Sequence, residues 1–164
     1  MKRVSIMAVL LLLMTVGAFA QTQSWARSYN KDGQLNFYAS VGYVDAITIA
    51  PGAEYIFGQF QLGGIPFDFG IMGRLYIAIA SAGGETAVGW GIAPLATLHM
   101  GLTAVPIEFF IGAGVIIAGV EGESYLDFAG LLGAIYHLNS TFGILLEVGY
   151  AGGFVWGAGI EVQL

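Results

Sequence analysis

Large apolar side chains alternate with small or charged ones along much of this chain. The clearest run covers residues 67–79, where Phe67, Phe69, Ile71, Leu75, Ile77 and Ile79 alternate with Asp68, Gly70, Met72, Arg74, Tyr76 and Ala78. Successive side chains of a β-strand point to opposite faces, so a period of two residues is typical of strands. The alternation therefore predicts a protein built from strands with two very different faces.

The same alternation marks eight segments between residue 35 and the end of the chain. They cover residues 35–43, 47–57, 67–79, 87–98, 107–118, 126–138, 142–150 and 156–164. One face of each segment is aliphatic or aromatic, and the other holds glycine, alanine and nearly all of the strand charges. Neither face suits the wet exterior of a soluble barrel, so we place the apolar face against lipid. The predicted fold is all-β: a single antiparallel up-and-down transmembrane β-barrel of about eight strands.

The composition excludes several classes of protein. Charged residues make up 10% of the chain, against about 25% in an average soluble domain, so they are too few for an ordinary water-facing surface. Without cysteine the chain has no disulfide framework and no thiolate metal site. A net charge of −6 with only five Lys and Arg residues argues against nucleic-acid binding, which requires a basic surface.

Membrane-spanning helices are the alternative for so apolar a chain. The longest candidates, residues 71–82 and 107–120, contain glycine and are shorter than the ~20 residues that a helical span needs. No Lys or Arg follows Arg74, so no later loop carries the positive charge that orients helices in an inner membrane. Both observations favour the barrel.

The first 20 residues have the pattern of a secretory signal peptide. Lys2 and Arg3 precede an apolar run from Ile6 to Val16, and Ala18-Phe19-Ala20 matches a small-residue cleavage site. Export of a chain with a transmembrane barrel pattern predicts the bacterial outer membrane as its location.

Domain limits and topology follow from the same reading. We predict a signal peptide at 1–20, a polar periplasmic lead-in at 21–33 and the β-barrel domain at 34–164. An even number of strands and a periplasmic N-terminus place one set of connections outside the cell and the other in the periplasm. The predicted extracellular loops are 44–46, 81–86, 121–124 and 151–153, and the predicted periplasmic turns are 58–65, 99–105 and 139–141.

An internal repeat supports a succession of hairpins. Ile49-Ala50-Pro51 recurs as Ile92-Ala93-Pro94, and residues 65–69 (IPFDF) recur as residues 105–109 (VPIEF). Two strands fit between the copies, whereas a propeller blade needs four. Pro51 and Pro94 fall inside the strand pattern, so we expect either a bulge or a later strand start at each of them.

With a signal peptide, eight alternating strands and charges on the inward face, the chain resembles small eight-stranded outer-membrane barrels, namely the OmpA transmembrane domain and the OmpX-like proteins. The alternating Trp156, Ile160, Val162 and Leu164 are similar to the C-terminal signal read by the barrel-assembly machinery. The resemblance implies that machinery as a partner during insertion, and outer-membrane lipid and lipopolysaccharide thereafter. The last residue is Leu164, where the family usually has an aromatic residue.

Charged and titratable residues on the inward face are the candidate functional residues. They are Glu54, Asp68, Arg74, Glu108, Glu147, Glu161, His99 and His137. One interpretation is a network of charges and hydrogen bonds that fills the lumen, as lumenal ion pairs do in the family that the chain resembles. The other is a cation site at the periplasmic mouth, because the acids outnumber Arg74 and need water, shared protons or a cation.

Aromatic residues near the strand ends on the apolar face fit the two interfacial girdles of a membrane barrel. They are Tyr43, Tyr55, Phe67, Trp90, Phe142, Tyr150 and Trp156. The acidic loop tips Asp45, Glu85, Glu121 and Glu123 are expected to be solvated and able to bind divalent cations that bridge lipopolysaccharide.

Three functions remain open at this point. The first is a structural or membrane-stabilising barrel with no catalysis, no metal and no cofactor. The second is a narrow cation-preferring channel. The third is a lipid-modifying enzyme built on His137, Ser140 and Glu147, but the predicted topology puts the first two at a periplasmic turn and Glu147 partway up the wall, so we expect no catalytic site.

Overall fold

A computed structural model describes residues 25–43, 46–82, 85–120 and 122–164. The predicted signal peptide and the acidic tips Asp45 and Glu121 lie outside the described residues. The strands are β1 (Ala26–Arg27), β2 (Leu35–Tyr43), β3 (Ile47–Leu62), β4 (Ile65–Ala82), β5 (Glu85–Leu102), β6 (Ile107–Val120), β7 (Glu123–His137), β8 (Phe142–Ala151) and β9 (Phe154–Gln163). No helix in this part of the chain is long and apolar enough to cross a membrane.

Strands β2 to β9 form a closed antiparallel ring. Each pairs with the next along the chain, and β9 pairs with β2 to close the sheet. Closure leaves no unpaired edge, which hydrocarbon would make costly. The prediction of an all-β, eight-stranded up-and-down barrel is confirmed.

The strands are strongly staggered around the ring. When the register is followed from Met72, one direction round the barrel arrives at Thr141 and the other at Ala151, both beside or within β8. A stagger of this kind tilts the strands and, with eight of them, leaves an interior just wide enough for side chains.

The two ends of the barrel differ in what covers them. The strap end is crossed by residues 25–34, the strap, and carries the connections 63–64, 103–106 and 138–141. The far end carries the connections after Tyr43, Ala82, Val120 and Ala151. Residues 25–33 were predicted as part of a lead-in outside the barrel, and the structure instead packs them across its mouth.

Several strands run further than hydropathy predicts. β3 continues to Leu62 although a turn was predicted from Gly58, and β5 covers Glu85–Leu102 where residues 87–98 were expected. Gly63 and Gly64, both with positive φ, make the β3–β4 turn, where left-handed backbone favours glycine. Hydrogen bonding within the hairpins continues beyond the lipid-facing belt. The strands therefore extend past the residues in which apolar and small side chains alternate, and the alternation alone predicts strands that are too short.

The prolines inside the strand pattern cause neither a bulge nor a late start. Pairing of β3 with β4 is interrupted beside Pro51 and resumes in the same register, and pairing of β5 with β6 does the same beside Pro94. Proline lacks an N–H, so each proline costs a local gap in one ladder while the strand continues. The irregularity in register lies elsewhere, between Ile56 and Gly58.

The two strand faces separate as the alternation predicts. Outward side chains such as Ile71, Ile111 and Leu132 are more than half exposed. Inward apolar side chains, among them Met72 and Leu95, are at most 2% exposed. The barrel therefore has an apolar exterior and a lumen that is tightly packed around Met72 and Leu95.

Candidate functional site

All eight predicted lumenal residues lie inside the barrel, and none is more than 7% exposed. Six of them lie towards the strap end: Glu54, Asp68, His99, Glu108, His137 and Glu161. Arg74 and Glu147 form a separate pair further along the lumen. Strand parity brings these residues inward, because each sits at an inward position of its own strand.

A chain of alternating carboxylates and imidazoles crosses the strap-end half of the lumen. His99 places Nε2 2.8 Å from Glu54 Oε1 and Nδ1 2.5 Å from Glu108 Oε1. His137 continues the chain, with Nε2 3.0 Å from Glu108 Oε2 and Nδ1 3.7 Å from Glu161 Oε2. The histidines, and not Arg74, are thus the partners of three of the glutamates.

This geometry restricts the protonation states of His99 and its two carboxyl neighbours. Each ring nitrogen of His99 faces a carboxylate oxygen, and an ionised carboxylate only accepts hydrogen bonds. Both contacts are hydrogen bonds only if the ring carries two protons or a carboxyl carries one. Tyr38 and Thr97 also donate to Glu54, the former at 2.5 Å. Glu54, which is fully buried, therefore has hydrogen-bond donors in place of water.

The Arg74–Glu147 pair lies apart from that chain. Arg74 Nη2 lies 2.5 Å from Glu147 Oε1, and Ser40 bonds to both groups, at 2.8 Å and 2.5 Å. Gly52 makes room for the guanidinium arm, since a Cβ at this position would lie 2.5 Å from Arg74 Cδ. Among the described residues, four buried side-chain atoms have no hydrogen-bond partner: Arg74 Nε and Nη1 and Glu147 Oε2 in this pair, and Glu161 Oε2 at the end of the carboxylate–imidazole chain.

The strap covers the charged cluster and is bonded to it. Ser28 Oγ lies 2.7 and 2.8 Å from the two carboxylate oxygens of Asp68, and Asn30 donates to Glu108 Oε1 at 2.9 Å. Gln59 Nε2 donates to the Asn30 carbonyl at 2.7 Å. Asn30 is 4% exposed, so the strap forms the end wall of the lumen on this side.

Backbone pairing and aromatic stacking fix the strap in place. Arg27 pairs with Gly101 on β5, just beyond His99, where the β4–β5 ladder ends. The Tyr29 ring stacks on His137 at 4.1 Å, and the Arg27 guanidinium lies 3.9 Å from the centre of the Tyr29 ring. A Cβ on Gly101 would lie 2.2 Å from Tyr29 Cδ2, so this close contact requires glycine.

The described residues provide a suitable geometry neither for the cation site nor for the lipid-modifying enzyme considered from the sequence. Within the described residues, no group of three or more His, Asp or Glu side chains is arranged to hold a metal ion. The proposed catalytic residues do not converge: His137 faces Glu108 and Glu161, Glu147 is bonded to Arg74, and Ser140 is exposed in a turn.

The predicted interfacial aromatics fall into two groups on the exterior. Tyr43 pairs with Trp156 near the far end, where Trp90 and Tyr150 also lie, and all four are exposed. The remaining three lie towards the strap end: Tyr55, Phe67 and Phe142. Phe67 is half-buried because it stacks on Phe60 at 5.5 Å.

Sequence reasoning missed the polar residues that complete the network. Asn36, Tyr38 and Ser40 share the inward face of β2 in the alternating pattern, and that signal was available. Ser28 and Asn30 gave none, because the strap has no alternation and its bonds to Asp68 and Glu108 join residues 40 and 78 positions apart.

Comparison with known proteins identifies the fold. No family model matches the chain, and no curated protein matches it in sequence. The N-terminal β-barrel domain of Pseudomonas aeruginosa OprF is similar in structure, with a TM-score of 0.55 and 12% identity over 82% of this chain and 100% of that one.

Two further structures have the same architecture. A barrel from the de novo design of transmembrane β-barrels has a TM-score of 0.50 and 18% identity, covering 82% of this chain and 98% of its own. The outer membrane enzyme PagL has a TM-score of 0.50 and 14% identity, covering 79% of this chain and 98% of its own. The resemblance to small outer-membrane barrels is thus confirmed for the fold: the chain is a small eight-stranded transmembrane β-barrel of the outer-membrane type.

Proposed function

We propose that this protein is an integral outer-membrane barrel with a structural, membrane-stabilising role, no catalysis and a lumen that does not conduct. One observation carries the proposal: an apolar exterior surrounds a lumen whose middle is filled by packed side chains, with buried charges bonded to one another and to the strap. Such an interior stabilises a membrane anchor and leaves no continuous passage through the packed middle of the lumen.

Packing in the middle of the lumen argues against the channel alternative. Met72, Leu95, Phe110, Ile135 and Leu145 are each at most 2% exposed. Phe110 also stacks on His99, with ring centroids 5.4 Å apart. A hydrated cation has no continuous path past such a layer, and the strap closes the mouth beyond it.

The apolar exterior indicates what surrounds the barrel. In the proposed orientation the strap end faces the periplasm and the far end faces outward, with lipid against the apolar belt and lipopolysaccharide around the far-end rim. The barrel-assembly machinery is the proposed partner during insertion. Glu85 and Glu123 are exposed at that rim and are available to cations that bridge lipopolysaccharide.

Planar-bilayer recording tests the closed lumen. We expect no discrete conductance from the purified, folded protein, with folding verified by heat-modifiable gel migration and a conducting porin as the positive control. Stepwise cation-selective currents from folded wild-type protein would support the channel and overturn the proposal.

A deletion strain tests the structural role. Loss of the gene is expected to increase detergent and dye entry, and the wild-type gene is expected to restore the barrier. His137→Ala and Ser140→Ala variants that reach the outer membrane should restore it equally, with an unchanged lipid profile by mass spectrometry. A lipid species that disappears with either variant would instead indicate an enzyme.

A further inference from the structure

A blind cavity occupies the far half of the lumen. Its volume is about 270 Å³. Its walls consist largely of alanine and glycine at inward strand positions, including Ala78, Ala80, Ala87, Gly89, Gly91 and Ala118. We call this cavity the vestibule.

The vestibule opens at the far end of the barrel and is closed at its inner end. Along the inward face of β4, Ala80 is exposed, Ala78 is half-buried, Tyr76 is 5% exposed and Arg74 is 1% exposed. Ile116, on the facing wall, is 1% exposed. The space is therefore a pocket whose depth is limited by Tyr76 and Ile116, and not the entrance of a passage.

The lining is apolar and uncharged. Among the described residues around the vestibule none carries a charge. Two buried hydroxyl groups belong to its lining, those of Tyr76 and Thr48, and Thr48 Oγ1 already donates to the Ala46 carbonyl at 3.2 Å. An ion in this pocket would lose its hydration without gaining a partner.

Size and chemistry together define an occupant. Water fills apolar cavities poorly, and a cavity of ~150 Å³ with aliphatic walls stays dry and binds benzene. The vestibule is larger, so it accommodates roughly ten carbon atoms. We infer that the vestibule is a binding site for an uncharged hydrophobic group of that size, with at most one hydroxyl or carbonyl near Tyr76.

This ligand chemistry has two possible sources, a free hydrophobic molecule and the end of a lipid acyl chain that reaches over the rim. The inference does not depend on the proposed structural role, because a barrel can bind such a group in the vestibule whether or not it stabilises the membrane. The experiment below distinguishes the two sources.

Alanine methyl NMR in lipid nanodiscs tests the site, with naphthalene as the probe. Ala118 lines the vestibule, whereas Ala96 is exposed on the outer wall and reports simple partition of the probe into lipid. We expect a saturable shift of the Ala118 methyl signal and a linear, non-saturating shift of Ala96. An acyl-chain NOE to Ala118 that disappears on addition of naphthalene would identify lipid as the natural source.

Filling the vestibule is the matched test. Ala118→Leu should weaken naphthalene binding, read at the Ala78 methyl, by at least tenfold, while Ala96→Leu on the outer wall should not change it. Ala80→Leu, at the exposed mouth, serves the same purpose if the buried variant folds poorly. The inference is overturned if Ala118 responds no differently from Ala96 and shows no acyl NOE, or if both filled variants bind as the wild type does.

Discussion

The two ends of the lumen are built from the same strands and the same alternating pattern, yet their interiors are opposite in chemistry. Towards the strap end the inward residues include a cluster of carboxylates, imidazoles and amides, bonded to each other and covered by residues 25–34. Towards the far end they are mainly alanine and glycine, and they enclose an open apolar cavity.

The difference shows how little of a barrel interior is dictated by its exterior. Lipid requires large apolar side chains outside along the whole belt, and both halves meet that requirement in the same way. Inside, one half is closed by a network of bonded polar groups, in which Glu161 Oε2 is a buried oxygen without a hydrogen-bond partner, and this half is expected to be rigid. The other half lacks bulky side chains and is expected to accept a guest. The Arg74–Glu147 pair marks the boundary between them.

Removing the charge at that boundary should have the largest effect. Arg74→Ala leaves Glu147 buried without its charged partner, with only the Ser40 hydroxyl still bonded to it, and breaking a buried pair on one side costs about 3–5 kcal/mol. We expect a loss of that order in the free energy of unfolding, measured by urea titration of the barrel in lipid vesicles with tryptophan fluorescence.

The double variant Arg74→Met with Glu147→Met is the control. Replacing both partners by apolar groups of similar size is often neutral, so the double variant should lie within about 1 kcal/mol of the wild type. A double variant as unstable as Arg74→Ala would mean that the guanidinium packs the lumen and that its charge is secondary.

Within the strap-end cluster, Glu108→Gln should have the next largest effect. Glu108 contacts both histidines and accepts from Asn30, and the amide of glutamine keeps the shape but replaces one carboxyl oxygen by an NH2 group. A loss of about 1–3 kcal/mol is expected in the same titration. Glu123→Gln, an exposed acid at the far end, is the matched control and should leave the unfolding midpoint unchanged.

Much of this contrast could be predicted from the sequence, and part of it could not. A period of two placed Glu54, His99 and Arg74 on the inward face, because strand parity depends only on local spacing. The partner of each charge depends on register between strands and on their stagger around the ring, which no local pattern contains. Counting Arg74 as the sole counterion therefore overlooked the histidines.

The strap escaped prediction for a related reason. Its polar residues do not alternate with apolar ones. Its position is fixed by contacts with residues of β4, β5 and β6, which are distant from it in sequence. Polar composition alone is equally typical of a solvated segment, and only the geometry of the lumen mouth distinguishes a cover from a tail.

Displacing the strap should have a smaller effect, confined to one end. Gly101→Ala would place a methyl group against Tyr29 and the Arg27 carbonyl, so the strap must shift at a cost of about 1–3 kcal/mol. Faster amide hydrogen exchange at residues 25–34 is the expected readout, with exchange at the far end unchanged. Gly112→Ala is the control, because its Cβ would meet neighbours at ordinary distances of 3.4 Å and more. Equal exchange in the two variants would show that Tyr29 does not hold the strap.

The smallest effect is expected from a polar contact at the far end. The Tyr150 hydroxyl donates to Asp127 Oδ2 at 2.8 Å, which matches the lengths found in the strap-end network, but this contact is exposed. Water replaces a lost hydrogen bond at such a site, whereas a buried acceptor in the lumen has no substitute. Tyr150→Phe should therefore leave the urea midpoint unchanged, while Tyr38→Phe, which removes a buried hydroxyl from Glu54, should lower it. If both phenylalanine variants behave alike, burial is not what gives the strap-end network its strength, and the contrast between the two ends is one of composition alone.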